Sequence, residues 1–473
     1  MTCKKLELEN MKITDVEPMQ YYLMDNKGKI FSLNEFKTKS KPLKALIDNE
    51  VFKKRSKEKT PHIDLMRKLK LAEYDPISQP GHLRLSPKGT FIFDLLADRA
   101  LQIALEQGAT PVKTPMIYDL DTKAVSEHAK LFGQRMYKIK TGSRSFALRY
   151  AACFGQFSLL SESTLSHKDF PIKIFELADS YRLEQRGELL GLARVRKFHM
   201  PDMHILCRDL TESQVEFNKI YKRCLEEGER FGFSYASLYN VAKNYLEDGE
   251  GLKHVKSLVR MEKEPILLYV VEPKKYYWFI NVEFNFVSDK GRIIESATAQ
   301  IDVGNAERFN IRYFDEKGNK RTPVIIHTAV IGSLERFMAD MLEKASGMKK
   351  PSLPTWISPV QIRLINITAS EFEYCENLVR ELNQKQIRSD LDDRKESLGK
   401  KIASAEVEWI PFIVVVGKRE IKNKQLSVRI RASQKTMDMT KDELVSVIKN
   451  ESKEWPYRPL YFNSLLSKRP SFV

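Results

Sequence analysis

Residues 172–207 read IKIFELADSYRLEQRGELLGLARVRKFHMPDMHILC, and this stretch decides the fold. An apolar-rich run, a loop bounded by Gly187 and Gly191, and a second apolar run give a strand, an excursion and a return strand. Side chains alternate across a strand, so Arg194, Phe198, Asp202 and His204 share one parity and one face. Arg182 and Glu184 share a face on the outgoing strand. Pro201 is expected to bend the return strand near its end, which loosens the parity of Asp202 and His204. The shared face offers guanidiniums for phosphates, an aromatic plane for a base, and a metal-capable imidazole beside a carboxylate. On residue type alone, an amphipathic hairpin with a wet polar face fits equally well.

The segment FELADSYRLEQRGELLGLARVRKFHMPDMH resembles motif 2 of the class II aminoacyl-tRNA synthetases, specifically the threonyl-tRNA synthetases, and its MPDMH ending resembles their archaeal branch. The resemblance runs from about residue 61 to the C-terminus. It implies an α+β catalytic domain over residues 61–356, an antiparallel sheet flanked by helices. A smaller α/β anticodon-binding domain over 357–473 follows, and residues 1–60 form a short N-terminal extension.

The chain has 473 residues, enough for two or three domains and a full core. Its formal charge of +16 favours a polyanionic partner or an anionic membrane surface, although a merely basic, solvated surface has the same charge. Cysteines at 3, 153, 207, 224 and 375 form no CxxC pair or even framework, which argues for a reducing compartment. Without a signal peptide or a run of transmembrane length, the protein is expected to be cytoplasmic, with no membrane association. YYLMDNKGKIFSLNEF near the N-terminus reads as strand-like pieces turning at Asn26–Gly28. From Lys37 to Thr60 nine Lys/Arg and three Asp/Glu read as a solvated linker.

Residues 88–107 place Phe91, Leu95, Ala97 or Asp98, Leu101 and Leu105 at helical spacing, stopped by Gly108, and ATPVKTPMIY follows as a strand. Helix and proline-ended strand, with Pro115, resemble motif 1, which implies a homodimer; an ordinary core helix is the competing reading. His128, on a short helix, aligns with a histidine the family uses near the terminal tRNA hydroxyl. Cys153 falls in a small-residue turn before Gly155, where a buried free thiol is the default. Residues 212–233 read as a helix and 265–303 as strands. In the second of these, Trp278, Ile280, Val282, Phe284 and Phe286 face one way and Asn281, Glu283 and Asn285 the other. Thr298, Gln300 and Asp302 share a parity on the next. Asn281 stands where bacterial relatives have lysine. PVIIHTAVIGSLERFMADMLEKA gives a strand delivering His327, then a helix with Ser333 near its start; it resembles motif 3 through Arg336.

Cys153, His204 and His327 have no local zinc spacing, and each alone reads as structural. Together they occupy the positions of the family's three protein zinc ligands. The resemblance therefore implies one zinc with an open position that threonine fills through its amino group and hydroxyl. Asp202 accepts a hydrogen bond from that substrate, and valine, lacking the hydroxyl, is rejected chemically. It further implies a threonyl-adenylate made from ATP with Mg2+. Arg182 would hold the α-phosphate and Arg194 and Arg336 the outer phosphates, Phe198 would stack adenine and Glu184 would read its amino group. Gln300 and Ser333 complete the ATP set, and Thr298 and Gln300 the amino-acid set.

From about Ser358, strand and helix alternate, which argues for a compact domain with a mostly parallel sheet. DDRKESLGKKI resembles the class IIa anticodon-domain signature through Asp392, Arg394, Glu396, Gly399 and Lys401; Lys395 replaces a bacterial asparagine. Glu420 and Arg429 sit where the family contacts anticodon bases of tRNA(Thr). The expected activity is threonine–tRNA ligation; the alternatives are an inactive paralogue binding tRNA-like RNA, and a prolyl-type ligase, which gives no reason for the zinc triad. About sixty residues precede the catalytic part, too few for an editing domain, so a separate trans-editing protein is expected to clear seryl-tRNA.

Overall fold

A computed structural model describes residues 20–34, 38–54 and 60–470. Alternating apolar runs of the middle third build a ten-stranded sheet. Its order is Ile30–Ser32, Tyr21–Met24, Ile266–Val271, Tyr235–Ala242, Trp278–Val287, Ile293–Asp302, Val324–Ala329, Lys197–Cys207, Ile172–Tyr181 and Thr110–Pro111. Neighbours are antiparallel except Tyr235–Ala242 with Ile266–Val271, and Ile172–Tyr181 with Thr110–Pro111. The sheet is thus mainly antiparallel, as expected, with two parallel joins.

The motif 2 hairpin pairs without a register break from Ile172↔Leu206 to Tyr181↔Lys197. The expected bend at Pro201 is absent. Pairing of this strand with Val324–Ala329 begins only at Met203, so Pro201 lies where one flank carries no ladder, a position that tolerates proline. Trp278, Ile280, Val282, Phe284 and Phe286 are all buried, as their alternation predicts. Helix Leu210–Arg230, capped by the Asp209 carboxylate accepting from the Glu212 amide at 2.8 Å, buries Phe217, Ile220, Tyr221 and Cys224. The strand Tyr235–Ala242, which carries no polar alternation, was not anticipated. Buried at seven of its eight positions, it shows the pattern of a strand covered on both faces.

Three expectations need correction. Helix Pro87–Glu106 buries Phe91, Leu95, Leu96, Ala100, Ile103 and Ala104, while Leu105 is 54% exposed, on the side of the helix that carries Asp94 and Asp98. The strand expected after it is split by Pro111 and Pro115 into Thr110–Pro111 and Ile117–Asp119, which belong to different sheets. The basic stretch read as a solvated linker contains helix Lys41–Glu50. Ser40 caps it, and Leu43 and Leu46 are buried with Leu23, Leu238 and Leu267. Tyr21–Met24 and Ile30–Ser32 form the expected hairpin, with Gly28 at φ +81 in the turn, and extend the sheet.

By its contacts the chain divides into Met1–Lys59 with Ala100–Asp340, and Thr60–Arg99 with Met341–Val473. The second unit carries a five-stranded sheet ordered Ser389–Leu391, Ile362–Asn366, Phe412–Val416, Leu426–Ile430, Lys435–Met439. Its first three strands are parallel and its last three antiparallel, because the chain returns from Phe412–Val416 through a short helix and a hairpin. "Mostly parallel" therefore holds for only half the joins. Arg363, fully buried in this sheet, is neutralised by Asp390 at 2.8 Å and Glu408 at 2.7 Å. Among the described residues no helix is long and apolar enough to cross a membrane, and Cys153, Cys207, Cys224 and Cys375 are free thiols.

Candidate active site and metal centre

Above the sheet's centre lies a cavity of about 370 Å3 lined from Tyr150–Cys153, the motif 2 hairpin, Trp278–Val287, Ile293–Asp302 and motif 3. Cys153 and His327 line this cavity, and the fully buried His204 converges on them from a third element. Cys153 is the first residue of helix Cys153–Ser161, not part of a turn; His204 and His327 face each other across the paired strands Lys197–Cys207 and Val324–Ala329. Their ligand atoms all lie within 4.8 Å of one another, and all three residues are buried. A tetrahedral zinc with bonds of roughly 2.0–2.3 Å needs such atoms about 3.3–3.6 Å apart, so modest side-chain rotations bring the set to that spacing. Soft thiolate and imidazole donors suit zinc, and three protein ligands leave a fourth position open.

The surroundings are ordered. His204 Nδ1 lies 2.7 Å from Gln156 Oε1, and Gln156 Nε2 donates to the Asp202 carbonyl at 3.5 Å. His327 Nε2 lies 2.6 Å from Asp302 Oδ2, and the inner nitrogens, His204 Nε2 and His327 Nδ1, are 3.0 Å apart. Burial, then Asp202 and Asp302, pushes the Cys153 thiol well above its usual range, and burial pushes the His204 imidazole well below; a bound cation would reverse the first. The Asp202 carboxylate is 3.7 Å from His204 Nε2 and is pushed up to about 7, chiefly by burial.

The cavity's other end is cationic and aromatic. The Arg182 guanidinium sits 5.1 Å from the Phe198 ring centroid and its Nε donates to the Tyr150 carbonyl at 3.2 Å. Burial and then the neighbouring Arg336 push Arg182 below its usual range, as two cations sharing one cavity must. Arg336 donates to Glu295 Oε2 at 2.9 Å, and Ser333 lies just before its helix. Arg194 holds the buried Glu184 carboxylate at 2.8 Å. Arg194 precedes the return strand, so it shares the cavity with Phe198 and Asp202 through the loop rather than through strand parity.

Thr298 donates to the Val282 carbonyl at 3.1 Å and Gln300 Oε1 accepts from Tyr277 at 3.4 Å; both line the cavity. Asn281, the departure from the bacterial lysine, donates to Glu283 at 3.2 Å. His128 is buried on helix Lys123–Phe132 and lines the same cavity; burial, then Arg308 and His327, lower its pKa to about 4. Glu420 and Arg429 lie far along the chain in the second unit. Glu420 is buried and accepts from the Gly417 amide at 2.9 Å, capping helix Lys418–Asn423, while Arg429 is 45% exposed and donates to Glu406 at 2.7 Å.

Sequence reasoning missed Gln156, Tyr277, Glu283 and Glu295 as site residues, and gave Asp302 a parity but no role. A glutamine one helical turn after Cys153 was the available signal for Gln156. Glu283 and Glu295 sit on neighbouring strands; burial, then Glu295 and Glu50, push the Glu283 carboxyl up to about 8.

Residues 137–345 match the class II tRNA synthetase core domain of the glycine, histidine, proline, serine and threonine enzymes, and residues 358–451 match the anticodon-binding domain. The threonine–tRNA ligase of Thermofilum pendens is 42% identical over 454 residues, 94% of this chain and 74% of that protein. That of Staphylothermus marinus is 41% identical over 460 residues, 95% and 74% respectively. Among solved structures, the RNA-binding domain of threonyl-tRNA synthetase from Cryptosporidium parvum superposes with TM-score 0.74 at 25% identity, covering 84% of this chain and 99% of that one. The prolyl-tRNA synthetase of the same organism, with L-proline and AMP, has the same fold at TM-score 0.65 and 19% identity, over 83% and 78% of the two chains.

Proposed function

The chain belongs to the threonine–tRNA ligase family, and from that premise we propose that it joins threonine to tRNA(Thr) through a threonyl-adenylate, selecting the amino acid on zinc held by Cys153, His204 and His327. The observation that carries this reading is the convergence of the His204 imidazole with Cys153 and His327, which line the cavity that also holds Arg182 and Arg336. When bound, zinc supplies a Lewis-acidic site that distinguishes a β-hydroxyl from a methyl. Asp202, beside that site, accepts a hydrogen bond from the substrate, while Thr298 and Gln300 bound the amino-acid end.

Arg182 neutralises the α-phosphate and Arg194 and Arg336 the outer phosphates, because phosphoryl chemistry of this kind is helped mainly by positioning and charge. Phe198 stacks adenine, Glu184 accepts from its amino group, and Ser333 bonds the phosphate chain. Glu283 and Glu295 offer the hard oxygen donors that magnesium takes with ATP. His128, neutral when buried, assists the terminal tRNA hydroxyl in transfer. Arg429, exposed, reads anticodon bases, and Glu420, buried as the cap of its helix, shapes the loop beside them. The domains proposed are a short N-terminal extension over 1–60, the catalytic domain over 61–356 and the anticodon-binding domain over 357–473.

Two partners follow. Helix Pro87–Glu106 and the segment after it expose Leu105, Met116 and Ile117, apolar side chains that a second copy of the chain would cover in a homodimer. Serine keeps the hydroxyl that zinc reads, so the second partner is a separate protein that clears seryl-tRNA in trans. The test is pyrophosphate exchange with threonine, valine and serine, zinc content being measured on the same sample. Exchange with threonine and serine but not valine supports the reading. Exchange with proline, or equal exchange with valine, overturns it.

A further inference from the structure

We infer that Gln156 and Asp302 are positioning residues that lock His204 and His327 in opposite tautomers, so that Nε2 of one and Nδ1 of the other converge as lone-pair donors. The inference deepens the metal reading above and rests on it only for the consequence in zinc affinity. Each half of the lock is set by a chain of hydrogen bonds whose far end is backbone or a saturated carboxylate.

Consider His204 first. Gln156 Nε2 donates to the Asp202 carbonyl at 3.5 Å, which turns its Oε1 toward the imidazole. An amide oxygen only accepts, so His204 Nδ1, 2.7 Å away, carries the proton and Nε2 is left with its lone pair. Asp302 works on His327 in the opposite sense. Its Oδ1 accepts from the Gly304 and Asn305 amides, each at 2.8 Å, and its Oδ2 accepts from Asn305 Nδ2 at 2.7 Å. Three donors hold this carboxylate as an acceptor, so His327 Nε2, 2.6 Å away, carries the proton and Nδ1 keeps the lone pair. Both inner nitrogens are therefore unprotonated, and at 3.0 Å apart their lone pairs repel unless a cation shares them. Ligand histidines are commonly fixed this way, and loss of the outer partner typically costs about 10–100-fold in metal affinity.

Asp302→Asn separates this from a merely structural role. The asparagine oxygen stays with the Gly304 and Asn305 amides, so its NH2 faces His327 Nε2. That nitrogen must then accept, and the proton moves to Nδ1, where it blocks the metal. Gln156→Leu removes the acceptor for His204, and Gln156→Glu restores one. The experiment labels histidine with 15N in metal-free full-length protein and reads the protonated nitrogen of each ring. Zinc affinity is then measured by competition with a chromogenic chelator, with circular dichroism reporting the fold.

In wild type, Nδ1–H of His204 and Nε2–H of His327 are expected. Asp302→Asn should move the His327 proton to Nδ1 and weaken zinc about 10–100-fold. Gln156→Leu should weaken zinc by a similar factor, with recovery in Gln156→Glu. The assigned tautomers in a wild-type protein that takes up no zinc would support the lock and refute the metal reading alone. Unchanged ring protonation in Asp302→Asn, or zinc affinity within twofold of wild type in both variants, overturns the inference.

Discussion

Replacing His199 by glutamine should remove a pH dependence that the wild-type protein shows between about pH 6.5 and 9. His199 lies on the motif 2 return strand between two carboxylates: Nδ1 is 2.5 Å from Glu335 Oε1 and Nε2 is 3.1 Å from Asp179 Oδ1, while its amide donates to Glu335 Oε2 at 3.0 Å. Lys197 also reaches Asp179 at 3.1 Å. Burial lowers the imidazole's pKa, but the hydrogen bonds to Asp179 and Glu335 outweigh it and raise the value from 6.5 to about 9. At 1.36 kcal/mol per tenfold, that rise is worth roughly 3 kcal/mol. Solvent reaches the Asp179 side chain, 34% exposed, and screening brings the figure nearer 2 kcal/mol. The folded value lies above the unfolded one, so this stability is fully present below pH 6.5 and is lost as pH rises through about 9. Glu335 immediately precedes Arg336, so the same titration should loosen the motif 3 arginine. The assay is thermal unfolding of both proteins from pH 6 to 10, with the KM for ATP in pyrophosphate exchange. Wild type should exceed His199→Gln most at pH 6, the gap closing above pH 9 as the wild-type KM for ATP rises. A gap of constant size across the range would refute the reasoning.

Other expected outcomes can be checked on the same preparation. Arg429→Ala should weaken charging of tRNA(Thr) while leaving adenylate formation nearly unchanged, since Arg429 pairs with Glu406 within its own unit and the cavity is lined by the other; steady-state charging and pyrophosphate exchange, run side by side, measure both. Serine lacks one methyl of threonine, worth roughly 1–3 kcal/mol or about 10–200-fold, so purified protein should accumulate seryl-tRNA(Thr), followed as acid-stable product over time. Gly155→Ala should lower the melting temperature and zinc content together, because a Cβ there would lie 2.1 Å from the Thr114 Cβ and displace the helix that begins at Cys153.

The strand Trp278–Val287 was legible because its first half alternates buried and half-buried positions, so period two marked Trp278, Ile280 and Val282, and the same parity grouped Phe198, Asp202 and His204 on Lys197–Cys207. Tyr235–Ala242 gave no such alternation, being covered on both faces, and was missed. Helix Lys41–Glu50 was hidden by its charge, since only Leu43 and Leu46 are buried. The face of Pro87–Glu106 was misjudged at Leu105, which follows Asp94 and Asp98 on the helix's polar side. At the site, the metal triad came from resemblance, as its members lie 51 and 123 residues apart in pairs and no local spacing links them. Gln156 was signalled only by its place one helical turn after Cys153, and Asp302 only by its parity with Thr298 and Gln300, neither of which points to a partner imidazole. The hairpin Leu426–Ile430 with Lys435–Met439 turned a sheet expected to be mostly parallel into an equal mixture.

The central claim, selection of threonine on a metal held by Cys153, His204 and His327, is tested most directly by adding zinc back to chelator-stripped protein. Threonine-dependent pyrophosphate exchange is followed together with bound zinc per chain. The account predicts no exchange in stripped protein, recovery in proportion to zinc up to one per chain, and no recovery in Cys153→Ser or His204→Ala proteins that remain folded. Full exchange with threonine, and continued rejection of valine, in protein shown to hold no zinc would contradict it.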